Sequence, residues 1–286
     1  MKKLICVAAL VAAATFSSKA ETLEFSYGAS ADVVSTYIWR GQYNGGLSFQ
    51  PDLSIGWESE HTSFSFGTWL SFGASDWGFR KGIPAEEEYN PNTYLVKELD
   101  IYGSLNLWGV TLGFTHYYYL DGTNFFNFGD INEIEGTAQT EVSLGYDFST
   151  LFPNVNLSLS WNTMVSGYDV TVGDEEDKRA FSTYIEAAYT QNFERGMALT
   201  GVVGVSPWRS TYTDIYSETP KNFAVNNLTL RFDKTWSFDV CELTLYAQGT
   251  MNPCNINREN AIIRASGDDK LYLQKLMGAI GVNISF

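Results

Sequence analysis

From residue 25 onward the chain alternates apolar and polar positions with a period of two. In one run Val142, Leu144, Tyr146 and Phe148 interleave with Glu141, Ser143, Gly145 and Asp147; in the next Val155, Leu157, Leu159 and Trp161 interleave with Asn156, Ser158, Ser160 and Asn162. Side chains that alternate this way project to opposite faces of a β-strand. Comparable runs occupy residues 25–40, 47–58, 61–73, 97–108, 110–121, 181–192, 196–208, 223–235, 240–252 and 270–286. The pattern predicts about twelve strands of roughly ten or more residues, longer than the five or six usual in soluble sheets and suited to a tilted bilayer crossing.

The connections alternate in length. Short links fall at Glu58 to His61, Trp108-Gly109, Ser149 to Asn154, Gln191 to Gly196 and Ser237 to Asp239. Long polar ones fall at 74–96, 121–138, 167–179, 209–222 and 253–269, and the first link, Gly41 to Gly46, is brief. Tight periplasmic turns and longer outer loops are the rhythm of an all-β, up-and-down antiparallel transmembrane barrel, and an even strand number leaves both termini periplasmic. Trp39, Trp57, Trp108, Trp208 and Trp236 fall near predicted strand ends, where amphipathic rings meet the two water–lipid boundaries; Trp69 and Trp161 fall mid-strand and Trp77 in a loop. The last strand ends on Phe286, in step with Gly278, Ile280, Val282 and Ile284, a terminal pattern that resembles the signal read by the outer-membrane barrel-assembly machinery.

The N-terminus departs from this pattern. A basic start at Lys2-Lys3, an apolar stretch from Leu4 to Phe16 and the small-x-small site Ser18-Lys19-Ala20 read as a cleaved signal peptide, residues 1–20, ahead of a single barrel domain, 21–286. The full chain has net charge −15; without Lys2, Lys3 and Lys19 the exported part carries 15 basic and 33 acidic residues, a net −18. That acidity excludes a basic nucleic-acid binder. An aromatic content of 15% excludes a disordered chain, and the 18% charged residues, below the ~25% usual for a soluble domain, fit strands that show half their surface to lipid. Cys6 leaves with the signal; Cys241 and Cys254 are too far apart along one extended strand to bridge unless the chain folds back.

If the more apolar set of each strand faces lipid, the other set lines the lumen. This assigns Asp32, Arg40, Gln50, Asp52, Asp100, Tyr117, Tyr119, Glu141, Asp147, Glu186, Arg231, Asp233, Glu242 and Gln248 to the interior, with acids in excess. An arginine facing mid-bilayer lipid costs about 2–4 kcal/mol, which favours Arg231 inward. The alternative is that those charges pair into an internal salt-bridge plug that conducts nothing. Pro51 lacks an N–H for the ladder, so it is expected at a bulge or at the rim of its strand.

Three segments carry a family resemblance: Ala31-Asp32-Val33-Val34-Ser35-Thr36-Tyr37-Ile38-Trp39-Arg40-Gly41, then Phe49-Gln50-Pro51-Asp52-Leu53-Ser54-Ile55-Gly56, then Phe66-Gly67-Thr68-Trp69. They resemble the opening of the TorF-type porin family, whose members begin with a Ser-x-Tyr-x-x-Arg-Gly stretch, a Gln-containing second strand and a Gly-x-Trp third strand. The match covers roughly the first 55 residues after the signal. It implies an outer-membrane barrel of porin type and carries over no substrate or catalytic residue; Arg40-Gly41 would brace the first outer loop.

Other chemistry is weakly signalled. His61 and Ser63 share a strand face, the spacing some barrel lipid hydrolases use, but fall at a periplasmic turn, the wrong end for outer-leaflet lipid. His116 adjoins Tyr117, Tyr118 and Tyr119, as an interfacial aromatic belt would. Glu86-Glu87-Glu88 and Asp174-Glu175-Glu176-Asp177 lack calcium-loop spacing and read as solvated charge, with cation-bridged contact to lipopolysaccharide as the alternative. No cofactor or metal motif is present in the sequence.

The expectation is an outer-membrane porin-like barrel of about twelve strands passing small hydrophilic solutes or ions, cation-preferring, surrounded by outer-membrane lipid and lipopolysaccharide. A non-conducting structural or surface-binding barrel, a barrel hydrolase and a soluble secreted β-sandwich are the alternatives.

Overall fold

The computed structural model describes residues 22–73, 79–80, 98–119, 125–128, 138–167, 169, 179–213, 222–254 and 276–286. The signal peptide, Trp77, both acidic loop runs and residues 270–275 lie outside the described residues.

Twelve strands form the wall: β1 (Glu24–Val34), β2 (Ser48–Glu58), β3 (Thr62–Gly73), β4 (Glu98–Leu107), β5 (Val110–Tyr119), β6 (Gln139–Asp147), β7 (Leu157–Ser166), β8 (Thr183–Phe193), β9 (Met197–Ser206), β10 (Ala224–Ser237), β11 (Glu242–Met251) and β12 (Leu276–Ser285). Each pairs antiparallel with its neighbours in sequence, and β12 returns to β1 with Ser285 to Gly281 opposite Ser30 to Val34. The barrel is closed. Its five tight turns lie at one end. One of them, Trp108-Gly109, has both residues at positive φ, which suits a two-residue hairpin loop.

Burial is inverted relative to a soluble protein. Phe25, Leu53, Phe66, Leu112, Leu144, Leu230 and Ile280 are exposed on the outer face, while Glu98, Asp100, Glu141, Thr229 and Thr250 are buried. An apolar band of this extent belongs in lipid. Trp57, Trp108 and Trp236 are exposed near the short-turn end, and Trp161 and Trp208 meet at 5.8 Å between ring centroids on the outer face. Inside, Tyr246 lies flat over its cross-strand partner Gly281, where a Cβ would fall 2.1 Å from the ring. Tyr102 covers Gly67 in the same way.

Two expectations are corrected. The run 25–40 is not one strand: the wall strand stops at Val34, and the chain turns inward to form a hairpin, Tyr37–Trp39 with Gln42–Gly45. Ser35 seals the exit, its N–H donating to Ile280 O and its Oγ accepting from Ile280 N–H. Trp39, in that hairpin, therefore does not belong to the girdle. The second correction is Pro51, which sits neither at a bulge nor at a rim. It pairs with Ala31 on β1, while the β2–β3 ladder skips Gln50 and Pro51 and resumes in unchanged register at Asp52. The wall tolerates one missing donor as a local gap.

Leu230, central in β10 and 62% exposed, tests the lipid face. Leu230→Arg is expected to lower stability by about 2–4 kcal/mol, measured by denaturant unfolding from lipid vesicles.

Candidate functional site

The inward hairpin gives the lumen its geometry. Its two-residue tip, Arg40-Gly41, has φ of 50° and 75°, so both tip residues take left-handed backbone. Gly41 is required twice over, because a Cβ there would also lie 2.1 Å from Asn226 O. Asn252 Nδ2 donates to Gly41 O at 2.9 Å, fastening the tip to the ends of β10 and β11.

Arg40 reaches across to the opposite wall. Nη1 and Nη2 donate to the two oxygens of Glu141 on β6 at 2.5 and 2.7 Å, and Nη1 also donates to the Tyr212 hydroxyl at 2.7 Å. Tyr117 adds a bond to Glu141 Oε1 at 3.2 Å. The guanidinium stacks among the rings of Trp39, Tyr184 and Tyr212, at 4.4, 4.9 and 5.8 Å. This is a bidentate, largely buried ion pair, the geometry in which a buried charge is best compensated. At the base of the same hairpin strand Tyr37 donates to Glu98 Oε2 at 3.1 Å and packs on Trp69.

The register places the residues expected to face inward as follows. Asp52, Trp69, Asp100 and Tyr117 stand side by side on β2 to β5. Asp52 accepts from Tyr102 at 2.8 Å, whereas Asp100 Oδ1 is buried without a hydrogen-bond partner among the described residues. Asp32 lies between Gln50 and Asn283 and accepts from Asn283 at 2.7 Å. Gln50 donates to Ser48. Glu186 accepts from Tyr184 at 2.5 Å. Arg231, between Thr200 and Gln248, is bound to Asp233 at 2.7 Å and stacks 3.8 Å over the Tyr246 ring. Asp147 and Glu242 are elsewhere: they share the inward parity but sit at the short-turn rim, where Asp147 caps Ser149 N–H and Glu242 accepts from Ser237. Of Tyr119 only the backbone is described.

Thus the hairpin packs against the β3–β6 side, and the space left lies along β8–β12, β1 and β2. Three cavities follow one another there, of about 470, 240 and 190 Å³, and Arg231 borders all three. The largest is lined by threonines, Thr190, Thr200, Thr235 and Thr244 among them.

Sequence reasoning missed Glu98, Tyr102 and Tyr184, which share the inward parity, and Tyr212, which lies in a loop where no periodicity marks it. It also did not foresee how the histidines are engaged. His61, at a short turn, stacks on Trp108, and His116 is covered by Phe125 and Phe128 with Nδ1 against Thr140 Oγ1 and Nε2 against Phe125 O. Cys241 and Cys254 lie at opposite ends of β11 and form no disulfide with each other, and Cys254 Sγ donates to Thr213 O. Beside that loop, burial raises the Asp169 carboxyl above its ordinary range, against the lowering effect of bonds from Ser182.

Among solved structures the chain is similar to an outer membrane channel from Pseudomonas putida F1, with a TM-score of 0.50 at 12% identity over 94% of this chain and 97% of that one. More distant likenesses are Salmonella typhi OmpF in complex with daunomycin (TM-score 0.37, 12% identity, 93% and 98% covered) and a Pseudomonas aeruginosa FadL homologue (0.36, 10%, 92% and 75%). No family model and no curated protein matches the chain. At these identities the likeness is one of fold. The closed wall and its lipid-facing band define an outer-membrane β-barrel, seated in the outer membrane of a Gram-negative cell.

The latch is testable by stability. Arg40→Met is expected to cost about 3–5 kcal/mol, because it strands Glu141 as a buried, uncompensated charge. Arg40→Met combined with Glu141→Met should recover most of that loss, read as the denaturant midpoint in detergent micelles.

Proposed function

We propose that the chain is a narrow diffusion channel for small hydrophilic solutes, with the inward hairpin setting its bore. The observation that carries this reading is the set of three cavities bordered by Arg231, beside a hairpin that packs tightly on its other side. Asp32, Asp52, Glu98, Asp100, Glu141, Glu186 and Asp233 face inward against Arg40 and Arg231, and such an excess of acids favours cations.

The Ser-x-Tyr-x-x-Arg-Gly stretch that resembles the TorF-type porin family coincides with the inner hairpin, Ser35 to Gly41. That coincidence supports a shared lumen device and the porin assignment. Phe286, exposed beyond β12 with its N–H bonded to Ala29 O, is available to the barrel-assembly machinery. The outer rim would meet lipopolysaccharide. A second reading, a sealed structural barrel, is favoured by the Arg40 latch crossing the lumen.

Planar bilayer recordings separate the two. The channel reading expects small, steady conductance steps, a reversal potential of cation sign across a potassium chloride gradient, and a several-fold larger step for Gly41→Ala, whose Cβ drives the tip off Asn226. Silence from both proteins would establish the sealed barrel, and an anion-sign reversal would end the cation preference.

A further inference from the structure

The cavity beside the hairpin stem carries two opposite charges that do not pair with each other. It holds about 190 Å³, below the ~300–1,000 Å³ of pockets for drug-sized ligands, so its occupant is small. Asp32 and Arg231 both border it, together with the amides of Gln50 and Gln248. Each charge is held by a neighbour outside the cavity: Asn283 donates to Asp32 Oδ2 at 2.7 Å, and Asp233 Oδ1 takes Arg231 Nε and Nη2 at 2.8 and 2.7 Å. Tyr246, on the cavity wall between them, bonds to Asp32 and lies under the Arg231 guanidinium. The Arg231 side chain stays 35% exposed. Val34, Ile38 and Ala279 supply an apolar side.

A lone anion in this cavity meets Arg231 but also Asp32, and a lone cation meets the reverse. A solute carrying both charges on one small frame satisfies both walls at once, recovering the hydration it gives up on entering a narrow bore. Carboxylate recognition by a held guanidinium and ammonium recognition by a held carboxylate are both charge-assisted bonds. We infer that this cavity is a subsite for a zwitterionic amino acid, its carboxylate on Arg231, its ammonium on Asp32 and its side chain against Ile38 and Ala279. The inference rests on the channel reading and names the solute class that the bore selects.

Calorimetric titration of the detergent-solubilised protein tests it with three small probes: L-alanine, L-lactate, which lacks the ammonium, and ethylamine, which lacks the carboxylate. L-alanine is expected to bind at least roughly tenfold more tightly than either, each missing charge-assisted bond costing about that factor. Arg231→Gln should erase the advantage over ethylamine, and Asp32→Asn the advantage over lactate. Because the comparison among probes uses the wild-type protein, it does not depend on the variants folding. Equal affinity for all three, or no binding of L-alanine, overturns the subsite. Binding is read without current, so the two ideas fail separately: alanine binding by a protein silent in bilayers removes the channel and keeps the subsite, and current without alanine binding does the reverse.

Discussion

In hydrocarbon no water is present to satisfy a backbone N–H or C=O, and that constraint governs this molecule. A sheet meets it only by closing on itself, which is why β12 must return to β1. Closure also turns the usual packing logic outward. The large apolar side chains face lipid, and the enclosed face is left with carboxylates, hydroxyls and amides that must find partners among themselves.

The inner hairpin answers that second demand. By leaving the wall at Val34, the chain sends backbone and three aromatic residues, Tyr37, Trp39 and Tyr43, into a lumen rich in acids, and places one guanidinium where Glu141, Tyr117 and Tyr212 converge. The result is asymmetric. One side of the hairpin is packed with rings and ion pairs, and the other side borders the cavities that pass Arg231. A single inward excursion of a few residues therefore divides the lumen into a packed side and a side that keeps cavities.

The fold was legible because each strand repeats the same local rule. Alternation such as Val142, Leu144 and Tyr146 against Glu141, Ser143 and Gly145 states both the strand and its two faces, and the alternating link lengths state the direction of travel. The candidate site was legible only in part. The inward parity of Asp32, Asp52, Asp100, Glu141, Glu186, Arg231 and Asp233 follows from periodicity. The same rule misled at residues 35–40, because a hairpin inside the barrel alternates as a wall strand does.

The sequence by itself determined a closed antiparallel barrel, its lipid face and the sign of its interior, since those depend on period, length and composition. Only the tertiary structure decided that Arg40 crosses to Glu141, 101 positions away, that Tyr212 completes its shell, and that Arg231 borders all three cavities beside the hairpin whereas Arg40 borders one of them. The physical reason is that strand periodicity records which face a side chain occupies but not what stands across the lumen from it. That partner is set by where each strand falls around the closed wall.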